Sequence, residues 1–186
     1  MTKRMDEEEH SGEMQYPFIA HIYNQFTNDK KKQIQILPIM VGSTSKSNQY
    51  GQILAPILSR TNIFTVISTD FCHWGSRFGY SPTNSSNCSQ SFTQIYEFIE
   101  WLDHLGMEQI SLQDPGAFAM YIKNYKNTIC GRYPITVYLH ALQNAKTVKG
   151  GVNVSLEFVK YAQSSQVTTM DESSVSYASA VVREIS

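Results

Sequence analysis

The chain has 186 residues, 41% of them hydrophobic and 17% charged, with a formal net charge of −1. That length supports one domain with a sizeable core, and the composition excludes a disordered chain. The near-zero charge excludes a general electrostatic pull toward nucleic acid or an anionic membrane.

The chain opens on "MTKRMDEEEHSGEMQ", acidic where a secretory signal needs an apolar centre. Such a charge run is a solvated helix start or a tail. His10 stands between Glu9 and Ser11, and on a helix it shares a face with Glu13. Ile19, Ile22, Tyr23 and Phe26 follow at helical spacing after Pro17 at a first-turn position, which predicts a packed helix. The basic run "DKKKQ", with Lys30 to Lys32, reads as a solvated loop, with a phosphate-binding patch as the alternative.

"QIQILPIMVG", residues 33 to 42, alternates and then becomes apolar throughout, the pattern of a buried strand ending at Gly42. Ser43 to Ser47 resemble a cap before a helix through "NQYGQILAPILSR", which Pro56 would distort. "NIFTVIST", 62 to 69, is a second β-branched run and predicts an interior strand. Asp70 to Tyr80 then lie just past its C-terminal end, where ligands bind in α/β sheets.

"YSPTNSSNCSQS", 80 to 91, is a polar loop. In "FTQIYEFIEWLDHLGM", 92 to 107, the apolar positions Phe92, Ile95, Tyr96, Ile99, Leu102 and Leu105 repeat at three and four. That pattern predicts an amphipathic helix closed by Gly106. A second helix begins at "DPGAFAMYIKNY", with Asp114 as N-cap and Pro115 in the first turn. After the turn "KNTICGRYP", Pro134 opens a third, "ITVYLHALQNAK". "VNVSLEFVKYAQSS" (152 to 165) and "SSVSYASAVVREI" (173 to 185) read as strands. The order predicts an α/β fold in which a mixed β-sheet is flanked by helices.

The three cysteines, Cys72, Cys88 and Cys130, are odd in number and form no C-x-x-C pair. This argues against a disulfide framework and for a reducing compartment. No apolar run is long enough to cross a bilayer. Asp70 and His73 are three apart, and a carboxylate beside an imidazole can fix its tautomer and raise its basicity. The alternative is that both cap the next turn. Alternation puts Cys72 opposite His73, so Cys72 is expected to be packed. Cys130, near a helix start, is either a thiol of lowered pKa, a metal ligand or a small buried residue. His21, His104 and His140 fall within helical patterns as surface or core-edge residues. No phosphate loop, zinc spacing or serine elbow is present.

Five segments, in order, carry a resemblance. They are "DEEEHSGEMQYPF", "ISTDFCHWGSRFGY", "NTICGRYPI", "YAQSSQ" and "DESSVSYASA", and the set resembles the Memo family (mediator of ErbB-receptor-driven cell motility). The resemblance covers Asp6 to about Val181 and implies one Memo-like domain over residues 1–186. It also implies a fold similar to the class III extradiol dioxygenases, which are non-haem iron enzymes. His73 then falls where those enzymes keep a catalytic base, with Asp70 beside it as a vestigial, pocket-lining pair. Cys130 falls where they keep a carboxylate ligand to the metal, a swap that favours softer metals, copper among them. Glu9, His10, Trp74 and Arg132 are the implied binding residues, and Tyr133 stands where the family frequently has histidine. The family's longer N-terminal portion supplies two further histidines, so this chain is expected to be N-terminally truncated and to lack those strands. The implied cofactor is iron or copper, with an incomplete ligand set.

The implied function is a signalling adaptor linking receptor tyrosine kinases to the cytoskeleton and cell motility. Its partner would be a phosphotyrosine-containing receptor peptide or another signalling protein, with no nucleic acid and no membrane insertion. The expected location is cytoplasmic, extending to the nucleus. The competing expectations are an iron- or copper-dependent redox metalloenzyme and a truncated product without function.

Overall fold

The computed structural model describes residues 2–26, 34–85, 90–147 and 153–185. Lys30 to Lys32 and Cys88 lie outside the described residues. The chain divides into two units, Met1–Val41 and Gly42–Ser186.

In the first unit, the acidic run forms helix α1, Lys3–Glu8, with an i,i+4 ion pair between Lys3 Nζ and Glu7 Oε1 at 3.5 Å. Helix α2, Ser11–Phe26, begins six residues before Pro17 and carries that proline inside it. Its start is explained by Glu9, whose two carboxylate oxygens accept the Ser11 and Gly12 amides at 2.8 and 3.0 Å. A carboxylate at a helix N-terminus satisfies otherwise orphaned N–H groups and complements the dipole. The expected packing of α2 does not occur: none of its residues is buried, and Phe18, Ile22 and Phe26 are exposed. An apolar stripe becomes core only when a second face covers it. Among the described residues of the predicted strand over 33–42 none is in a strand: 34–41 are irregular, and Ile36, Leu37 and Ile39 are exposed.

The second unit holds the core. Helix α3, Ser47–Leu58, packs on helix α6, Arg132–Ala145. The close approach requires Gly51, since a Cβ there would lie 2.5 Å from the His140 Cβ. Helix α4, Ile95–Ser111, runs through Gly106 and does not end there. Its start is closed by a capping box in which Glu97 accepts the Gln94 amide at 3.0 Å. Its predicted stripe is buried at Ile99 and Leu102, and the buried face also takes in Phe98, Met107 and Ile110. Each such side chain contributes roughly 1.5–3 kcal/mol on burial. Helix α5, Pro115–Tyr125, packs on α4, and its Asp114 cap accepts the Gly116 and Ala117 amides at 2.7 and 3.3 Å.

The described sheet is small and wholly antiparallel, not mixed. Strands β1 (His73–Trp74), β2 (Val154–Gln163) and β3 (Ser174–Glu184) lie in the order β1-β3-β2. β2 and β3 pair from Val154↔Glu184 to Gln163↔Ser176, with an irregularity between Phe158 and Lys160. β1 meets the start of β3, His73 opposite Val175. The second predicted interior strand, 62–69, is not a strand, and Phe64 is 89% exposed. A β-branched run becomes a strand only where neighbours accept and donate ladder bonds. This run reaches β3 only at its end, where Phe71 donates to the Ser176 carbonyl at 2.8 Å and Ser176 donates to that of Cys72 at 2.9 Å. Phe71, Cys72 and Trp74 enter the core there with Phe98, Leu102 and Phe118.

Candidate functional site: a two-armed wall

Two backbone arms form the site, both in the second unit. One is Thr69 to Trp74, pinned to β3 through Ser176. The other is Asn127 to Gly131, between α5 and α6. Lys126 turns the chain out of α5 with a left-handed φ of 52°.

The arms are joined by side chain to backbone bonds. The Thr128 hydroxyl accepts the His73 amide at 2.7 Å and donates to the His73 carbonyl at 2.9 Å. One hydroxyl serves as donor and acceptor at once, so it fixes both backbone polar groups of that residue. Further along, the Asp70 amide donates to Cys130 Sγ at 3.0 Å. The Gly131 amide donates to Thr69 Oγ1 at 2.9 Å. That approach requires glycine, since a Cβ at Gly131 would lie 2.4 Å from the Thr69 side chain.

The arms settle the His73 ring. Its Nδ1 faces two carbonyl oxygens, Phe71 at 3.1 Å and Thr128 at 3.2 Å. Carbonyls only accept, so Nδ1 carries the hydrogen and, in the neutral ring, Nε2 keeps its lone pair. Nε2 lies 3.7 Å from Asp70 Oδ2, beyond hydrogen-bond length but within reach of an ion pair when the ring is protonated. The Phe78 ring stands edge-on to His73 at 5.2 Å, and the Arg77 guanidinium lies over Phe78 at 4.5 Å.

Asp70, His73 and Cys130 therefore share one wall, as the spacing alone could not show. Cys130 is exposed and Cys72 is fully buried, as alternation predicted. Burial, reinforced by Asp103, pushes the Cys72 thiol far above its ordinary range. Trp74 is corrected: it is 0% exposed and donates Nε1 to the Pro82 carbonyl at 2.7 Å, so it is core and does not face a ligand. Arg132 opens α6, donates to the Ile129 carbonyl at 3.0 Å, and lies over the Tyr133 ring at 4.7 Å. Hydrogen bonds from Ser43 and Arg132, with the guanidinium's charge, lower the Tyr133 phenol from its ordinary value. Glu9 and His10 belong to the first unit. There Glu9 is the α2 cap, and the Gly12 amide and the Ser11 side chain, its main partners, lower its carboxyl. His10 is exposed beside it.

Three residues that sequence reading passed over hold the wall. Thr128 and Asn127 carry no local signal. Asp103 does, because it is a carboxylate on the apolar stripe of α4 and is fully buried. Its Oδ1 accepts the Cys72 amide at 3.2 Å and Asn127 Nδ2 at 2.9 Å, and its Oδ2 accepts the Tyr161 hydroxyl at 2.9 Å. Burial raises its carboxyl, and donations from Ser176, Asn127, Tyr161 and the Cys72 amide draw it partly back.

Among the described residues no three His, Cys, Asp or Glu gather into a group able to hold a metal ion. A metal centre with open positions needs about three protein ligands. Among the described residues no helix is long and apolar enough to cross a membrane.

Comparison with known proteins places these features in a family. The family pattern described as "Memo-like protein" matches residues 1–181. Protein MEMO1 of Homo sapiens is 42% identical over 180 residues, covering 96% of this chain and 57% of that protein. Protein MEMO1 of Xenopus laevis is 44% identical over 181 residues, with the same 96% and 57% coverage. The memo-1 homolog of Caenorhabditis elegans is 41% identical over 184 residues, covering 98% of this chain and 49% of that protein. The chain thus spans about half the length of the curated relatives it matches.

Proposed function

The chain belongs to the Memo family, and from that premise we propose that it is a signalling adaptor without ordinary catalysis. Its wall, shared in kind with the dioxygenase-like pocket of the family, recognises a partner and does not turn over a substrate. The observation that carries this reading is the state of Cys130. The sulfur implied as a metal ligand accepts the Asp70 amide, and no third donor joins it and His73 among the described residues.

The partner class is a phosphotyrosine-containing receptor peptide, met in the cytoplasm and read out to the cytoskeleton. A phosphotyrosine presents an anion on an aromatic ring. Arg132, at the start of α6, supplies a guanidinium at the positive end of the helix dipole. Arg77, Phe78 and His73 supply a cation, a ring face and an imidazole in contact with one another. The test is calorimetric titration with a tyrosine-phosphorylated receptor peptide, its unphosphorylated form and a scrambled phosphopeptide. The phosphorylated sequence should bind, and Arg132→Ala should weaken it about tenfold. Equal heats from all three peptides would contradict the reading.

A redox metalloenzyme is the second reading, favoured by the exposed Cys130 thiol and the Nε2 lone pair that the neutral His73 ring keeps beside Asp70. Elemental analysis decides it. Stoichiometric iron or copper, lost in His73→Ala and Cys130→Ala, would support it, and substoichiometric metal unchanged by either substitution would exclude it.

A further inference from the structure

Asp103 lies outside the wall and touches both of its arms. The same carboxylate oxygen, Oδ1, accepts Cys72 N–H from one arm and Asn127 Nδ2–H from the other. One residue further along each arm stand His73 and Thr128, which bond to one another. Two residues beyond Thr128 stands Cys130, and two before Cys72 stands Asp70, joined through sulfur. The tie at Asp103 is thus the buried end of a ladder whose exposed end is the wall.

The remaining bonds show what the carboxylate is anchored to. Oδ2 takes the Tyr161 hydroxyl of β2, which also lies 3.3 Å from the Ser176 hydroxyl of β3. Asn127, 2% exposed, donates Nδ2 to Asp103 and to the Tyr121 hydroxyl at 2.7 Å, while its own Oδ1 has no partner among the described residues. A buried amide that leaves its oxygen unsatisfied is turned to serve the acceptor on its other side. Tyr121 in turn donates to the Leu102 carbonyl at 2.8 Å, which closes the network on α4. Every neighbour offers Asp103 a hydrogen. A side chain that only accepts is the one type that satisfies all of them.

We infer that Asp103 is a positioning residue that sets the separation of the two arms, and through them the placement of His73 and Cys130 on the recognising wall. The consequence for recognition rests on the adaptor reading, but the positioning itself does not.

The test uses the full chain without partner or metal, so failure of the adaptor reading leaves it untouched. Asp103→Asn puts an N–H₂ group where donors converge. Two readouts follow: the nitrogen shifts of the His73 imidazole, which report the Nδ1–H tautomer, and the alkylation rate of Cys130, followed on its own peptide by mass spectrometry. Leu139→Ala, a truncation in the same core on α6, is the control for general loss of stability. Asp103→Asn should mix the His73 tautomers and change the Cys130 rate by about fivefold, the factor carried by one lost hydrogen bond. Leu139→Ala should lower the melting temperature and leave both readouts as in the parent chain. Should Asp103→Asn fail to fold, Asn127→Ser and Tyr161→Phe decide. The first cuts one arm from the tie and should change both readouts, and the second removes only the β2 anchor and should change them less. Unchanged readouts in folded Asp103→Asn, matching changes in Leu139→Ala, or equal effects of Asn127→Ser and Tyr161→Phe would overturn the inference.

Discussion

The backbone amide of Asp70 donates to the sulfur of Cys130 across 3.0 Å, joining residues sixty positions apart. Together with the Thr128 to His73 and Gly131 to Thr69 bonds, it makes the segment leading into β1 and the segment leading into α6 a single surface. It also gives the exposed thiol a structural partner within the chain.

Thr128→Val tests the next rung of that ladder. Valine keeps the shape and removes the hydroxyl that serves the His73 amide and carbonyl. Denaturant unfolding should show a loss of about 1–3 kcal/mol, the cost of leaving partly buried groups unsatisfied. A loss within error of zero would mean that water replaces the hydroxyl without penalty.

Gly131→Ala tests how closely the arms approach. The added Cβ would meet the branched Thr69 side chain at 2.4 Å, and neither backbone can retreat without breaking the Gly131 to Thr69 bond. Stability should fall by about 1–3 kcal/mol, as for other overpacked sites. The paired change Thr69→Gly, which removes both clashing atoms, Cβ and Oγ1, should recover part of it.

In the core, Leu102→Ala should cost about 2–5 kcal/mol by chemical denaturation, because the side chain is fully buried under α4. Asp114→Ala, which removes the cap of α5, should cost about 0.5–2 kcal/mol. Reversal of that order would place the core elsewhere.

The pH dependence of Asp103 has a defined sign. Burial raises its folded-state value above the ordinary 3.8, so its contribution to stability is complete below 3.8 and is lost as pH rises through the raised value. Glu172 is lowered by the Thr168 and Thr169 amides, so its contribution is present above the ordinary 4.5 and is lost as pH falls. Comparing the parent chain with Asp103→Asn cancels Glu172 and isolates Asp103. The melting temperature of the parent, relative to the variant, should rise as pH falls from about 7 to about 4. A difference that does not vary with pH would show that the carboxyl titrates alike in both states.

The legible parts of the fold were those decided by local sequence. The α4 stripe, the Asp114 cap and the two terminal strands carry their own periodicity or capping chemistry. The runs at 33–42 and 62–69 show the limit, because a β-branched run specifies a capacity to pair and the pairing depends on neighbours. Trp74 was misread for a related reason. It sits among polar residues, and its burial is set by Pro82, eight residues on, and by β3, a hundred positions away. At the site, the Asp70 and His73 spacing was visible, but their joining to Cys130 through Thr128 spans fifty-five positions and leaves no local trace. Asp103 was readable in principle, as a charge on an apolar helix face, and such a residue asks for partners wherever it falls.

The central claim is that the two-armed wall is a partner-recognising surface. Its most direct test is chemical-shift mapping of the labelled chain on addition of a tyrosine-phosphorylated receptor peptide. The account predicts perturbations centred on His73, Arg77, Cys130 and Arg132, absent with the unphosphorylated peptide. Perturbations confined to other surfaces, or none at saturating peptide, would contradict it.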